Sequence, residues 1–288
     1  MRDNPLSLVY ASIVIILWGT VAAVSKLMLN NISNYQLMFY VALFSTTTTF
    51  FILLLARQKN TLKEIKKNFG KLFILGILGM GIYQFFYFTA ISKAPVAQVN
   101  VLNYMWPIFI LIFSIFLLKD KFSRKTLIAF LLGIFGAYLV ITKGTLLVFD
   151  SQYILGYVFA LIAALSWALF SILNKKIKLS PIKSMFFYNL IGLLFMVAIM
   201  AITNSSFNIP FKELLGVAYI GVIPTGIGFL LWIKSLQLGK PAIISNLSHL
   251  TPFISLVFIW LIAKEQILIS EIIGLIIIVS GILLQLKK

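Results

Sequence analysis

The sequence predicts an all-α, polytopic membrane protein with ten transmembrane helices arranged as two inverted five-helix repeats. Three observations carry that prediction. The first is composition: 61% of the 288 residues are hydrophobic and only 11% are charged, with a mean hydropathy of +1.06. A soluble domain is about half apolar and about a quarter charged, and so little polar surface cannot cover an apolar core of this size in water. The second is a series of ten apolar runs, each close to the ~20 residues a helix needs to cross the hydrocarbon core. The third is an internal echo, in which residues recur at a spacing of 145.

Taken in order, the runs cover about 6–28, 35–56, 71–91, 96–118, 125–142, 153–173, 184–202, 213–236, 241–263 and 269–286, each bounded by charge, Pro or Asn. Span 1 starts behind Arg2 and could imitate a secretory signal. It is longer than a signal core and lacks a small-x-small cleavage site before Lys26, so it reads as a retained span. The chain has no Cys, which removes disulfides, thiolate metal sites and a Cys nucleophile from consideration.

The formal charge of +17 would point to nucleic acid in a soluble chain; here it reads as orientation. With the N-terminus inside and the spans alternating, 19 of the 24 Lys and Arg residues fall inside. Only Lys26, Lys93, Lys143, Lys212 and Lys264 fall outside. Cytoplasmic loops carry the excess of Lys and Arg, so both termini are expected in the cytoplasm of a cell membrane, with an even number of spans. No nucleic-acid partner is expected.

The repeat is read from Pro107 and Pro252, Asp120 and Glu265, and Gly136 and Gly281, each pair 145 apart. Lys-Ala-Pro at 93–95 echoes Gly-Lys-Pro at 239–241, one residue out of step. Trp18 with Trp167 and Lys26 with Lys175 follow at 149. Residues 1–145 and 146–288 then form five-span halves, and an odd number of spans inverts the second relative to the first.

Polar residues inside a span face a cavity or a neighbouring helix, because lipid cannot solvate them. In span 4, Asn100, Asn103, Tyr104 and Pro107 lie at i, i+3, i+4 and i+7, on one helical face; span 9 repeats the pattern with Ser245, Ser248, His249 and Pro252. Spans 1 and 6 pair Trp18, Ala22 and Ser25 with Trp167, Ser171 and Asn174. Span 3 carries Tyr83 and Tyr87 one turn apart, with Gln84 between, and Trp232 matches Tyr87 in span 8. Trp18, Tyr83, Trp106 and Trp167 lie deep in their spans, whereas Trp260 sits near an end, where aromatic residues gather by default. Rings with a few amides suit a flat apolar or cationic solute, held by stacking and cation–π contact; the competing reading of every such residue is helix packing.

His249 is the one side chain within a span expected to titrate near neutrality. All seven acids, Asp3, Glu64, Asp120, Asp150, Glu213, Glu265 and Glu271, fall in loops or at span ends, so no carboxylate proton or sodium site is expected in mid-membrane. That favours a facilitator, or coupling through His249 or the solute. Gly133 and Gly136 in span 5, with Gly274 and Gly281 in span 10, permit close helix approach; both spans read as scaffold or homodimer contact. The run Ser45 to Thr49 in span 2 can bond back to its own helix, a candidate hinge.

With Asn103-Tyr104-Met105-Trp106-Pro107 and ten spans in two halves, the chain resembles the drug/metabolite transporter superfamily with paired EamA domains. The stretch Ala94 to Pro107 is most similar to its aromatic amino-acid exporter branch. Met105 stands where that branch has Leu, and Gln98 where the family usually has Glu or another polar residue. The resemblance implies that spans 1, 3, 4, 6, 8 and 9 enclose the solute and gate alternately. It carries Trp18, Tyr83, Tyr87, Asn100, Asn103, Tyr104, Trp106 and Trp167 over as lining residues; internal symmetry adds Trp232 and His249.

The expected function is thus transport, most of all export, of small amphipathic metabolites such as aromatic or neutral amino acids, without covalent chemistry, cofactor or metal. Other permeases of the superfamily and a non-transporting scaffold subunit are the rivals. A membrane-embedded enzyme would need clustered acids, His or a metal at a membrane face, and the scattered carboxylates offer none.

Overall fold

The computed structural model describes residues 5–58, 61–119, 124–145, 150–174, 177, 179–238 and 247–286, all of them helix, turn or loop with no strand. A chain immersed in lipid must satisfy every backbone N–H and C=O internally, and helices do this within one segment. Ten helical elements result. They are α1 (Pro5–Met28), α2 (Asn34–Leu55), α3 (61–93), α4 (96–118), α5 (Arg124–Ile141), α6 (Ile154–Asn174), α7 (Pro181–Ile202), α8 (211–238), α9 (248–263) and α10 (Ile269–Leu286). Eight spans are long and apolar enough to cross a membrane, and the shorter apolar helices Ser248–Ala263 and Ile269–Leu284 complete the set among the described residues.

The ends follow local chemistry. Ser33 opens α2 with a capping box, its hydroxyl accepting from the Gln36 amide at 3.2 Å while its own amide donates to Gln36 Oε1 at 2.9 Å. Pro181 starts α7 where its missing N–H costs nothing. Left-handed residues close α4 and α9, Lys119 at φ 60° and Lys264 at φ 56°. These two stand 145 positions apart, the spacing at which side chains recur in the sequence.

Several elements are broken inside the span. In α3 a π segment, Ile77–Ile82, joins Thr61–Gly76 to Tyr83–Lys93; in α8 another, Gly221–Ile227, joins Phe211–Ile220 to Gly228–Leu238. The second has an evident cause. Pro224 has no N–H for the Ile220 carbonyl one turn back, and the Thr225 hydroxyl donates to it instead at 2.8 Å. In α4, Val96–Asn103 and Trp106–Leu118 are separated by a tight turn at Tyr104 and Met105, because Pro107 cannot donate to the Asn103 carbonyl. In α9 the segment Ser248–Leu250 is wound as a 3₁₀ turn just before Pro252. The breaks in α3 and α8, and those at Tyr104 and at Ser248–Leu250, fall at matching positions, whereas a third π segment, Ile259–Ala263 in α9, has no counterpart in α4.

Packing follows a two-fold exchange. α2 packs on its counterpart α7, and α5 on α10; α3 on α6 is mirrored by α8 on α1, and α4 on α6 by α9 on α1. The main apolar core runs through Met38, Tyr87, Leu102, Met105 and Ile278. A smaller one gathers Ile65, Leu72, Phe170, Tyr188 and Ile191 at one end of α3, α6 and α7. Leu131, Phe135, Ile272, Ile273 and Ile276 point outward and exposed, as lipid-facing residues do.

The glycines of α5 and α10 are used within one chain: a Cβ on Gly136 would lie 2.6 Å from the Gly274 carbonyl oxygen, and Gly281 meets the Ala129 carbonyl oxygen. Gly133 instead faces Ile108 and Met105 of α4. In α2 the hydroxyls of Thr46, Thr47, Thr48 and Thr49 each donate to the carbonyl four residues back, and the helix runs through them unbroken. Trp260 is 59% exposed, at the end of α9.

Outside the described residues lie Ser245, Asp3, Asp120 and the stretch Gly239-Lys240-Pro241. The same holds for Arg2, Lys59, Lys121, Lys175, Lys176, Lys178, Lys287 and Lys288 of the charge argument.

Candidate functional site

The breaks and stripes converge on a cavity of about 370 Å³ lined from α1, α3, α4, α6, α8 and α9, with Val41 from α2. α5, α7 and α10 contribute nothing to it. Nine of the ten residues proposed from sequence line it: Trp18, Tyr83, Tyr87, Asn100, Asn103, Tyr104, Trp106, Trp167 and Trp232.

His249 does not line it. A 3₁₀ turn advances 120° per residue against 100° in an α-helix, so winding Ser248–Leu250 this way brings Thr251 onto the face of Ser248 and leaves His249 a third of a turn away. The lining face of α9 is Ser248, Thr251 and Ser255. Likewise, the turn at Tyr104 rotates the second half of α4, so that Trp106 and Ile110, rather than Pro107, face the cavity.

Phe229, Thr225, Thr251 and Ser255 were missed by the sequence reading. A signal for them existed. Shifting the α3 and α4 residues by 145 maps Met80 to Thr225, Gln84 to Phe229, Tyr87 to Trp232, Asn103 to Ser248, Trp106 to Thr251 and Ile110 to Ser255, and every one of these lines the cavity. Trp18 and Trp167 add the pair at 149.

The aromatic wall is continuous. Trp18 lies 5.3 Å from Phe229 and 5.4 Å from Trp232, ring centre to ring centre. Trp167 lies 4.9 Å from Tyr83, which stacks on Tyr87 at 5.7 Å with planes 7° apart. Each such pair contributes about 0.5–1.5 kcal/mol beyond area burial. The Trp18 indole N–H donates to the Pro224 carbonyl at 3.0 Å, which fixes the ring across α1 and α8.

Polar groups are few and partly unpartnered. Asn103 Nδ2 donates weakly to the Tyr83 hydroxyl at 3.5 Å, leaving Asn103 Oδ1 without a partner, as are Gln84 Oε1, Asn100 Nδ2 and Ser255 Oγ. All four side chains are buried and line the cavity. A buried polar atom without a hydrogen bond costs roughly 1–3 kcal/mol, so these atoms are prepared for a solute or for water. Among the described residues, no Asp, Glu, Lys, Arg or His lines the cavity.

The amino end of α4 is fixed from the other half. Glu265, in the link after α9, accepts from the Val96 amide at 2.9 Å and the Ala97 amide at 3.1 Å. A carboxylate there satisfies two orphan N–H groups and meets the positive end of the helix dipole. Replacing Glu265 with Ala is expected to cost about 1–2 kcal/mol, seen as a lower thermal midpoint in detergent, with Glu265→Gln recovering part of it.

Fold and cavity together define the class: a multi-pass membrane protein with a solute-sized chamber between its helices. The model of the EamA-like transporter family matches residues 5–142 and 154–286. The chain belongs to that family. Among curated relatives it is similar to the aromatic amino acid exporter YddG of Ancylobacter novellus, 26% identical over 189 residues, a match spanning 64% of this chain and 64% of that protein, just under two thirds of its length. It is also similar to an uncharacterized transporter of Clostridium kluyveri, 22% identical over 86% of this chain and 81% of the relative. The uncharacterized transporter YoaV of Bacillus subtilis is 26% identical over 77% of each chain. A solved crystal structure shares the fold with a TM-score of 0.66 at 21% identity, covering 98% of this chain and 96% of the other.

Proposed function

We propose that the protein exports neutral, amphipathic amino acids, foremost those with aromatic side chains, by alternating access. The observation that carries this reading is the lining itself: two aromatic walls, four buried amide and hydroxyl atoms without partners, and no formal charge. A zwitterion has no net charge and a dense set of hydrogen-bonding groups at one end. The rings would take its side chain, and the α4 amides its polar head. The relative named as an aromatic amino acid exporter points the same way.

The same proposal takes residues 1–145 and 146–288 as inverted halves with both termini cytoplasmic. The reciprocal helix packing supports it: α2 on α7 and α5 on α10 is the pattern of a two-fold axis between halves. With five spans each, that axis would lie in the membrane plane. The paired π segments and helix breaks beside the cavity give each half a place to bend.

Counterflow in proteoliposomes with a panel of labelled amino acids tests the reading. Saturable exchange of phenylalanine or tryptophan is expected, without a proton gradient, because no carboxylate or histidine lines the cavity. Exchange of another metabolite and of no amino acid overturns the solute assignment. Strict dependence on a proton gradient overturns the facilitator.

A further inference from the structure

The amino-terminal third of α3 has a surface that solute transport does not use. The apolar stretch of this element runs from Lys63 to Lys93, 31 residues. At 1.5 Å per residue it is about 46 Å long against a hydrocarbon core of about 30 Å. With Lys93 at one boundary, the first turns of α3 stand among the headgroups at the other.

On those turns Lys63, Lys66, Lys67 and Lys71 are exposed along one face, while Ile65 and Leu72 are buried on the opposite face. Glu64, the single acid of the segment, does not neutralise them. It is drawn to α7, where Lys183 Nζ donates to its carboxylate at 2.8 Å. Beside the basic face lie Phe69, level with the lysines, and Phe73, one step toward the membrane, 52% and 43% exposed, with ring centres 6.0 Å apart.

Gly70 sits in the middle of the lysines. A Cβ built there meets nothing within 4 Å, so no packing contact calls for glycine, and an exposed glycine inside a helix costs about 1 kcal/mol relative to Ala. Absence of a side chain leaves the backbone open to a group resting between Lys66, Lys67 and Lys71. Cations at headgroup depth, a ring level with them and another deeper, and a clear spot between the cations match the two zones of one molecule.

We infer that this face of α3 is a binding site for an anionic phospholipid, its phosphate held by Lys66, Lys67 and Lys71 over Gly70 and its acyl chains against Phe69 and Phe73. The site is independent of which solute the cavity accepts. Basic residues at a membrane surface each contribute about a five-fold gain in binding to anionic lipid.

Native mass spectrometry of the full chain with equal phosphatidylglycerol and phosphatidylcholine tests it, beside thermal unfolding with either lipid added. The expected result is preferential retention of phosphatidylglycerol, which falls to the phosphatidylcholine level in Lys66→Gln/Lys67→Gln/Lys71→Gln and persists when the same positions become Arg. Gly70→Ala should reduce the preference while leaving the thermal midpoint in phosphatidylcholine unchanged or higher. Three results would each overturn the site: a preference unchanged in the glutamine triple, an equal loss when Lys26, Lys93 and Lys212 are changed instead, or inorganic phosphate alone reproducing the stabilisation.

Discussion

Trp167→Ala is expected to reduce solute exchange by roughly 10- to 100-fold while the protein still inserts and folds. Trp167 holds the two aromatic walls together, lying 4.9 Å from Tyr83, 5.1 Å from Phe170 and 6.4 Å from Phe229. Truncation removes a stacking surface for the solute and releases Tyr83, whose hydroxyl accepts from Asn103. The lost ring contacts amount to about 1.5–3 kcal/mol in solute binding, and each 1.4 kcal/mol is a factor of ten. Because Trp167 borders the cavity and is half-buried, its removal widens an existing space rather than opening a void in the core. The stability cost is then that of the lost ring pairs, about 0.5–1.5 kcal/mol each, without an added cavity term. Counterflow rate against thermal midpoint separates the two effects, and Trp167→Phe should recover most of the flux. Equal loss of folding and flux would assign Trp167 to packing alone.

Gly136→Val is the variant expected to damage the fold most. A Cβ on Gly136 would sit 2.6 Å from the Gly274 carbonyl oxygen, and one on Gly274 would sit 2.7 Å from the Gly136 oxygen. Both obstacles are backbone, so no side-chain rotation relieves them, and α5 and α10 must move apart along their length. Overpacking of this sort costs about 1–3 kcal/mol or more, which corresponds to a fall in thermal midpoint on the order of 5–10 °C. Gly136→Ala should fall between. Since neither helix touches the cavity, the fraction of protein that remains folded should keep the parent's KM for the solute. A changed KM would show that the α5–α10 contact is coupled to the site.

Much of this was legible from residue order, for a definite reason. Lipid demands long unbroken apolar runs, so the element bounds of α1, α2, α4, α5 and α10 match their runs to within about two residues. α3 was cut ten residues short, at Lys71 rather than Thr61. A hydropathy scan stops at charge, whereas a helix with Ile65 and Leu72 on one face and lysines on the other continues. The cavity was legible on α4 because Asn100 and Asn103 precede the break and Tyr104 opens it. On α9 the phase was lost: a constant 100° step groups Ser248 with His249 and Pro252, whereas the 3₁₀ turn puts Thr251 in line with Ser248 and leaves His249 a third of a turn away. The π segments left no trace in periodicity. Pro224 alone marked one of them.

Of the seven matched pairs lining the chamber, Trp18 and Trp167 are alike and the other six are unequal in kind. At the spacing of 145, Gln84 corresponds to Phe229, Asn103 to Ser248, and Ile110 to Ser255. A carrier with identical halves would rest equally open to either side. Unequal halves give the two resting conformations different free energies, and so different half-saturation concentrations on the two faces of the membrane. Without coupling to an ion, microscopic reversibility still requires the ratio of maximal rate to half-saturation concentration to be the same in both directions. On the uncoupled reading proposed above, such a carrier would pass its cargo more readily one way at high load and would not concentrate it.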